Sequence, residues 1–439
     1  MHSLRRRLAQ RGLGLCLLLL TFTGTPGAAQ SADTTGAAGA IRDYLAAAAA
    51  DHGRLWGHSL AGPMILVDPA TRQAFASEQP PGGEFSRRDG LWEGVLPAGI
   101  PLANFALTWS GRRWAMVLLP LSRERFLALE LLLHEAYHGV QDTLGLGRMD
   151  LLNPHLDERE GRYWLRLELR ALAAALETTG KVRREAAGDA MRFRAVRLAR
   201  YPGADSLEES LEVAEGLAEY TGTRVALSYL RMPASRAARM TRDFEGRKTY
   251  VRSLGYGTGP GLGLLLDEYR PGWRARVKAS GPAAQLAEVL HIAMNDTVGI
   301  ADRAARYGSA ALAAEENARA AARERQLAAY RAALIDGPVL VLRQQGVQRA
   351  FNPNELIPLG ADGTIYPTGT FSAKWGSLEV EQGGALLAAD FSMLRLPAPA
   401  SAVAPGDSVV KGAGWTLTLA SGWKVIAGQR TGDWEVVAK

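Results

Sequence analysis

His134, Glu135 and His138 stand in the run His134-Glu135-Ala136-Tyr137-His138, two imidazoles four residues apart with a carboxylate directly after the first. Residues i and i+4 of a helix share a face, so both rings can reach one ion, and neutral imidazole is a good zinc ligand. A third protein ligand leaves the fourth position for water, whose pKa zinc lowers to about 7. Glu135 is then placed as general base toward that water and later as proton donor to a leaving group. Only seven histidines occur in 439 residues, so the spacing is a poor accident. It points to a metallohydrolase with one zinc ion, although iron, cobalt or manganese suits a similar donor set.

The motif needs a helix. Ser122 is a plausible N-cap, Glu124 falls in the first turn, and Gly145 and Gly147 lie where the helix should stop, which predicts a helix from near residue 123 to near 144. Leu127, Leu131, His134 and His138 fall at i, i+4, i+7 and i+11, so both histidines are expected to continue an apolar stripe and face inward. Ahead of it, residues 64–69 and 113–120 read as strands between loops rich in Gly, Pro and Ser. The second strand leads into the helix, and a small sheet there can offer an edge to an extended peptide.

From about 123 to 335 nearly every segment has helical period, with breaks at 145–154, Gly180, Pro202-Gly203, Pro233, Pro271-Gly272 and Gly281-Pro282. After Gly337 short apolar or alternating runs (339–342, 370–373, 377–381, 415–419, 423–426 and 434–437) predict an all-β region, with 397–405 as a loop or hinge. Trp375, Trp415, Trp423 and Trp434 there are expected mainly in the core, with an exposed binding surface as the alternative. The expected class is α+β: linker, helix and small sheet over 30–122, a helical region over 123–336 and a β-rich region over 337–439.

The third ligand must come from elsewhere in the chain. Metzincins continue as HExxHxxGxxH, whereas Gln141 stands at the glycine position and Leu144 at the third histidine. Glutamate on a later helix is the usual alternative, and two are candidates. Glu215 borders the stripe Leu207, Leu211, Ala214 and Ala218, beside Gly216; otherwise it is one more acid on a solvated face with Glu208, Glu209 and Glu212. Glu168 lies on the apolar face of a helix over about 158–177; otherwise it is ion-paired with a neighbouring arginine.

HExxH followed by Glu215-Gly216-Leu217-Ala218-Glu219-Tyr220 resembles the gluzincin metallopeptidases, the clan of thermolysin-like and aminopeptidase N-like enzymes. The resemblance spans about residues 112–270 and implies a zincin-like fold with His134, His138 and Glu215 as zinc ligands and Glu135 as catalytic acid and base. It further implies that Glu219 orients a ligand histidine and that Tyr256, in Tyr256-Gly257-Thr258-Gly259, stabilises the oxyanion, with Tyr250 the nearest substitute. The 76 residues between His138 and Glu215 require an inserted helical hairpin, which contains Glu168. No GxMEN-type motif precedes the helix, so recognition of a free amino terminus is unsupported.

Four arginines at 5, 6, 7 and 11, an apolar run from Gly12 to about Phe22, and small residues at Gly27 and Ala29 read as a secretory signal peptide over 1–29. Cys16, the only cysteine, lies inside it. Its removal takes Lys+Arg from 51 to 47 against 45 Asp+Glu, so the formal net charge falls from +6 to +2. Such a balance argues against a nucleic-acid partner, and no later stretch has the length of a transmembrane helix. Arginine and alanine usage suits a GC-rich bacterial genome. The reading at this level is a secreted or periplasmic bacterial zinc metallopeptidase acting on a peptide or protein. The alternatives are a cell-envelope binding or assembly protein without turnover and a cell-wall amidase.

Overall fold

The computed structural model describes residues 34–147, 151–293, 296–343, 347–352, 355–404 and 406–439. The signal segment expected over 1–29, with Cys16, lies outside them. The architecture is α+β, and the chain divides into two compact units, one ending at Leu312 and the other beginning at Ala313.

The first unit opens on α1 (Thr34–Asp51), which begins inside the stretch expected to be a linker. Its alanines supply packing residues: Ala37, Ala38, Ala47 and Ala48 are buried with Ile41 and Tyr44 at helical spacing in the main core. A six-stranded sheet follows, made of β1 (Met64–Val67), β2 (Gln73–Ala76), β3 (Ser86–Arg88), β4 (Leu91–Val95), β5 (Phe105–Trp109) and β6 (Arg112–Leu118), in the order β3-β4-β2-β1-β6-β5. β1 and β6 run parallel with Met64 beside Ala115 and Val67 beside Leu118. Both are covered on two faces: Met64, Leu66, Ala115 and Val117 enter the main core, while Ile65, Val67, Trp114 and Met116 form a second cluster behind the sheet. Burial on both faces explains why they read as continuous apolar runs. β6 is paired on both sides, so it offers no edge; the free edge beside it is β5.

The helical region comprises α2 (Arg125–Gln141), α3 (Arg159–Glu177), α4 (Gly180–Arg200), α5 (Ala204–Leu211), α6 (Leu217–Leu230), α7 (Ser235–Glu245), α8 (Leu254–Tyr269), α9 (Pro282–Leu290), α10 (Ile300–Ala305) and α11 (Ser309–Arg331). α3 and α4 are the hairpin that the sequence required between His138 and Glu215. One π turn (Glu212–Gly216) joins α5 to α6, and π turns inside helices are frequent at functional sites. α2 is buried almost all round, and its Leu127, Leu131 and His138 face is the more open one. The expected stripe is met in part: His134 is buried and Leu127 and Leu131 pack partly buried against the main core, while His138 stays partly open at the site.

A buried ionic cluster fixes the hairpin to the π turn. Glu168 of α3 accepts from Arg194 Nε at 2.9 Å and pairs with Arg197 at 2.7 Å. Arg197 also donates twice to Glu208 at 2.7 Å, His155 meets Glu208 at 2.8 Å, and Arg194 Nη1 reaches Glu212 at 3.0 Å. Each carboxylate is thereby compensated, the condition for burying charge.

The second unit contains a seven-stranded sheet, in which Val339–Arg343 pairs parallel with Trp434–Ala438 and antiparallel with Met393–Pro397, and a five-stranded antiparallel sheet centred on Gly376–Val380. Trp375 and Trp415 are buried in the core formed by the two sheets, and Trp423 and Trp434 pack partly buried against it.

Candidate metal centre

α2 supplies His134, Glu135 and His138, and the π turn supplies Glu215. His134 is 3% exposed and Glu135 5%, whereas the His138 and Glu215 side chains keep 18% and 15% exposure. The site thus has a buried floor and one partly open side.

His134 Nε2 and His138 Nε2 lie 3.1 Å apart, and Glu215 Oε2 is 3.5 Å from each. The other ring nitrogens fix the tautomers. His134 Nδ1–H donates to Glu219 Oε2 at 2.9 Å. His138 Nδ1–H donates to Gln141 Oε1 at 2.8 Å, and the Gln141 amide is oriented because its Nε2 donates to the carbonyls of Val213, Ala214 and Leu146 at 3.1, 3.0 and 3.3 Å. Both Nε2 atoms therefore carry lone pairs, and with Glu215 three acceptors converge without a donor among them. Only a cation or a proton reconciles them. Tetrahedral zinc with bonds near 2.0–2.2 Å separates its ligand atoms by about 3.3–3.6 Å; the two 3.5 Å separations fall in that range, and the imidazoles at 3.1 Å need to part by only about 0.2 Å to reach it. His134, His138 and Glu215 together form a cluster able to hold a metal ion.

The electrostatics are those of imidazoles and carboxylates crowded together in a buried site. Burial disfavours charged His134, yet Glu215 and Glu219 outweigh it and raise its pKa well above the ordinary imidazole value. His138 is raised as well, with Glu215 overcoming burial. Burial would raise Glu215, but the two histidines hold it well below the usual carboxylate range. Glu135 is raised, chiefly by burial, and its Oε2 has no hydrogen-bond partner.

Two close approaches set this geometry. A Cβ on Gly259 of α8 would lie 2.2 Å from Gly216 O, and one on Gly255 2.8 Å from Gly216 N, so α8 packs backbone to backbone on the π turn. The contact brings Tyr256 O–H to Glu215 Oε2 at 2.5 Å and stacks its ring on His134, with centroids 5.4 Å apart and planes 8° apart. Tyr256 is thus in the site, with its hydroxyl given to the Glu215 carboxylate. Tyr250 gives its hydroxyl to Glu245 O instead. Glu168 is held by Arg194 and Arg197, and Glu208 and Glu212, which the alternative reading of Glu215 placed on a solvated face, are buried in the same cluster.

Sequence reasoning missed Gln141 and Glu130. Glu130 is buried, and its pKa is raised well above the carboxylate range by burial and then by Glu219. It therefore keeps a proton beside the carboxylate that holds His134. Their spacings, one turn before His134 and three residues after His138, were the available signal. Comparison with family models, with curated proteins and with solved structures finds no match.

Proposed function

We propose that the protein is a zinc-dependent peptidase of gluzincin type that hydrolyses peptide bonds. The observation that carries the reading is the convergence of His134 Nε2, His138 Nε2 and Glu215 Oε2 on one point, with Glu135 unpaired beside it. These three side chains would hold the ion, which when bound polarises the scissile carbonyl and makes water acidic enough to lose a proton near neutral pH. Glu135 accepts that proton at its carboxylate and delivers it to the leaving amine nitrogen; its raised pKa brings the two transfers closer in energy. Glu219 fixes the His134 tautomer and Gln141 that of His138, so neither ligand ring needs to reorient. Tyr256 holds Glu215 and stays protonated, because burial and then Glu215 raise its pKa well above 10. Released from Glu215, the same O–H is a donor for the oxyanion of the tetrahedral intermediate. Free edge β5, which packs near α2, suits an extended substrate backbone.

A secreted or periplasmic location belongs to this reading through the sequence of residues 1–29. Among the described residues no helix is long and apolar enough to cross a membrane. The test is cleavage of a mixed peptide pool by the zinc-loaded protein and by Glu135→Gln. Turnover by the wild type and its loss in the variant supports the reading; no turnover by fully metallated wild type overturns it in favour of binding or assembly.

A further inference from the structure

The loop between α7 and α8 carries Arg247, Lys248 and Arg252 within six residues and leads directly into Tyr256. Around it arginines are committed to carboxylates: Arg166 and Arg170 to Glu245, and Arg242 to Glu177. Among the described residues none pairs with the side chains of Arg247 or Lys248. Arg247 is held another way. Its guanidinium lies 4.9 Å from the Phe244 ring centroid and 5.9 Å from that of Tyr256. Contact with aromatic faces anchors the flat face of a guanidinium and leaves its in-plane N–H donors free, the edge that binds carboxylate in bidentate fashion.

Arg247 is also close to the chemistry. Tyr256 is stacked on His134 at 5.4 Å, so ring contacts of 5.4 and 5.9 Å put the guanidinium no more than about 11 Å from the His134 imidazole. An extended peptide advances about 3.3 Å per residue. A group held at Arg247 therefore sits within roughly three residues of the scissile bond. The site itself is rich in acids (Glu130, Glu135, Glu215, Glu219), so a substrate carboxylate needs a cation of this kind to approach.

We propose that Arg247 is a specificity-determining residue that binds a carboxylate of the substrate peptide, supplied by the chain terminus or by an Asp or Glu side chain. The inference rests on the peptidase reading for its substrate class. Its test uses the full chain, zinc-loaded, in the Glu135→Gln background so that binding is measured without turnover. Fluorescent peptides are compared with free and amidated C-termini, and with Glu and Gln at internal positions, against Arg247, Arg247→Lys and Arg247→Ala. Arg247→Ala is expected to weaken carboxylate-bearing peptides at least tenfold and leave neutral ones unchanged, with partial recovery in Arg247→Lys. Loss on amidation identifies the terminus, and loss on Glu→Gln identifies a side chain. With Glu135 restored, KM rises in Arg247→Ala while kcat holds. Equal binding of all peptides by Arg247 and Arg247→Ala, or no peptide binding at all, overturns the proposal. Carboxylate-dependent binding without cleavage in the wild type overturns the peptidase reading alone.

Discussion

Gly259→Ala should damage the metal site from α8, far along the chain from the HExxH helix. The added Cβ would lie 2.2 Å from Gly216 O, and reaching the 3.4 Å at which ordinary contact begins requires α8 and the π turn to separate by about 1.2 Å. Gly216 adjoins Glu215, so much of that displacement falls on the ligand. Metal bonds tolerate about 0.2 Å, several times less. Overpacking costs roughly 1–3 kcal/mol and the helix gains roughly 1 from Ala over Gly, so a net loss of about 0–2 kcal/mol leaves the protein folded. Zinc affinity should fall by more than about 100-fold, beyond what loss of a residue that merely orients a ligand costs. Gly139→Ala is the control: it adjoins His138, but its Cβ would meet nothing within 4 Å, so zinc affinity is kept and stability rises by up to about 1 kcal/mol. Competition titration with a chromophoric chelator, beside thermal unfolding, reads both. Wild-type zinc affinity in folded Gly259→Ala would refute the reasoning.

Gln141→Leu frees the His138 Nδ1–H and takes the Gln141 donor from the Val213 and Ala214 carbonyls; zinc titration should show about a 10–100-fold loss and denaturant unfolding a loss of about 1 kcal/mol. Glu168→Gln should lower stability by about 3–5 kcal/mol, by leaving Arg194 and Arg197 undercompensated, without changing zinc stoichiometry; loss of the metal with stability intact would restore Glu168 as a ligand. Tyr256→Phe should weaken zinc binding if the hydroxyl chiefly positions Glu215, whereas lower kcat at unchanged affinity would assign it to the oxyanion. With zinc removed, the raised pKa values of His134 and His138 contribute stability that is fully present below the unfolded imidazole value, about 6.5, and is lost as pH rises through the folded values. Zinc competes with those protons, so the gain in melting temperature on adding zinc should be larger at about pH 8 than at about pH 6; equal gains would contradict the shared site.

The HExxH helix was legible because the motif combines a chemical and a helical spacing in five residues, and the approach of Glu215 to it because an acid beside Gly216 borders an apolar stripe. What sets Glu168 apart from Glu215 was not local: Arg194 and Arg197 reach Glu168 from α4, and no spacing within α3 shows them. The π turn and the Gly216–Gly259 contact were hidden for the same reason, since backbone packing leaves only scattered glycines in the sequence. β1 and β6 were visible as continuous apolar runs. β3, β4 and β5 were not, because they lie toward the sheet edges, β3 is wholly polar, and β4 and β5 are interrupted by polar residues or glycine. α1 was half seen, since its early sequence, rich in Gly, Ala and Thr, looks like a linker until the burial of Ala37 and Ala38 is known.

The most direct test is zinc content after exhaustive dialysis of the wild-type chain, Glu135→Gln and Glu215→Gln, measured by elemental mass spectrometry on folded protein. The account predicts one zinc per chain in the wild type and in Glu135→Gln, and less than a tenth of that in Glu215→Gln. Full zinc in Glu215→Gln, or none in the wild type with zinc supplied, would contradict it.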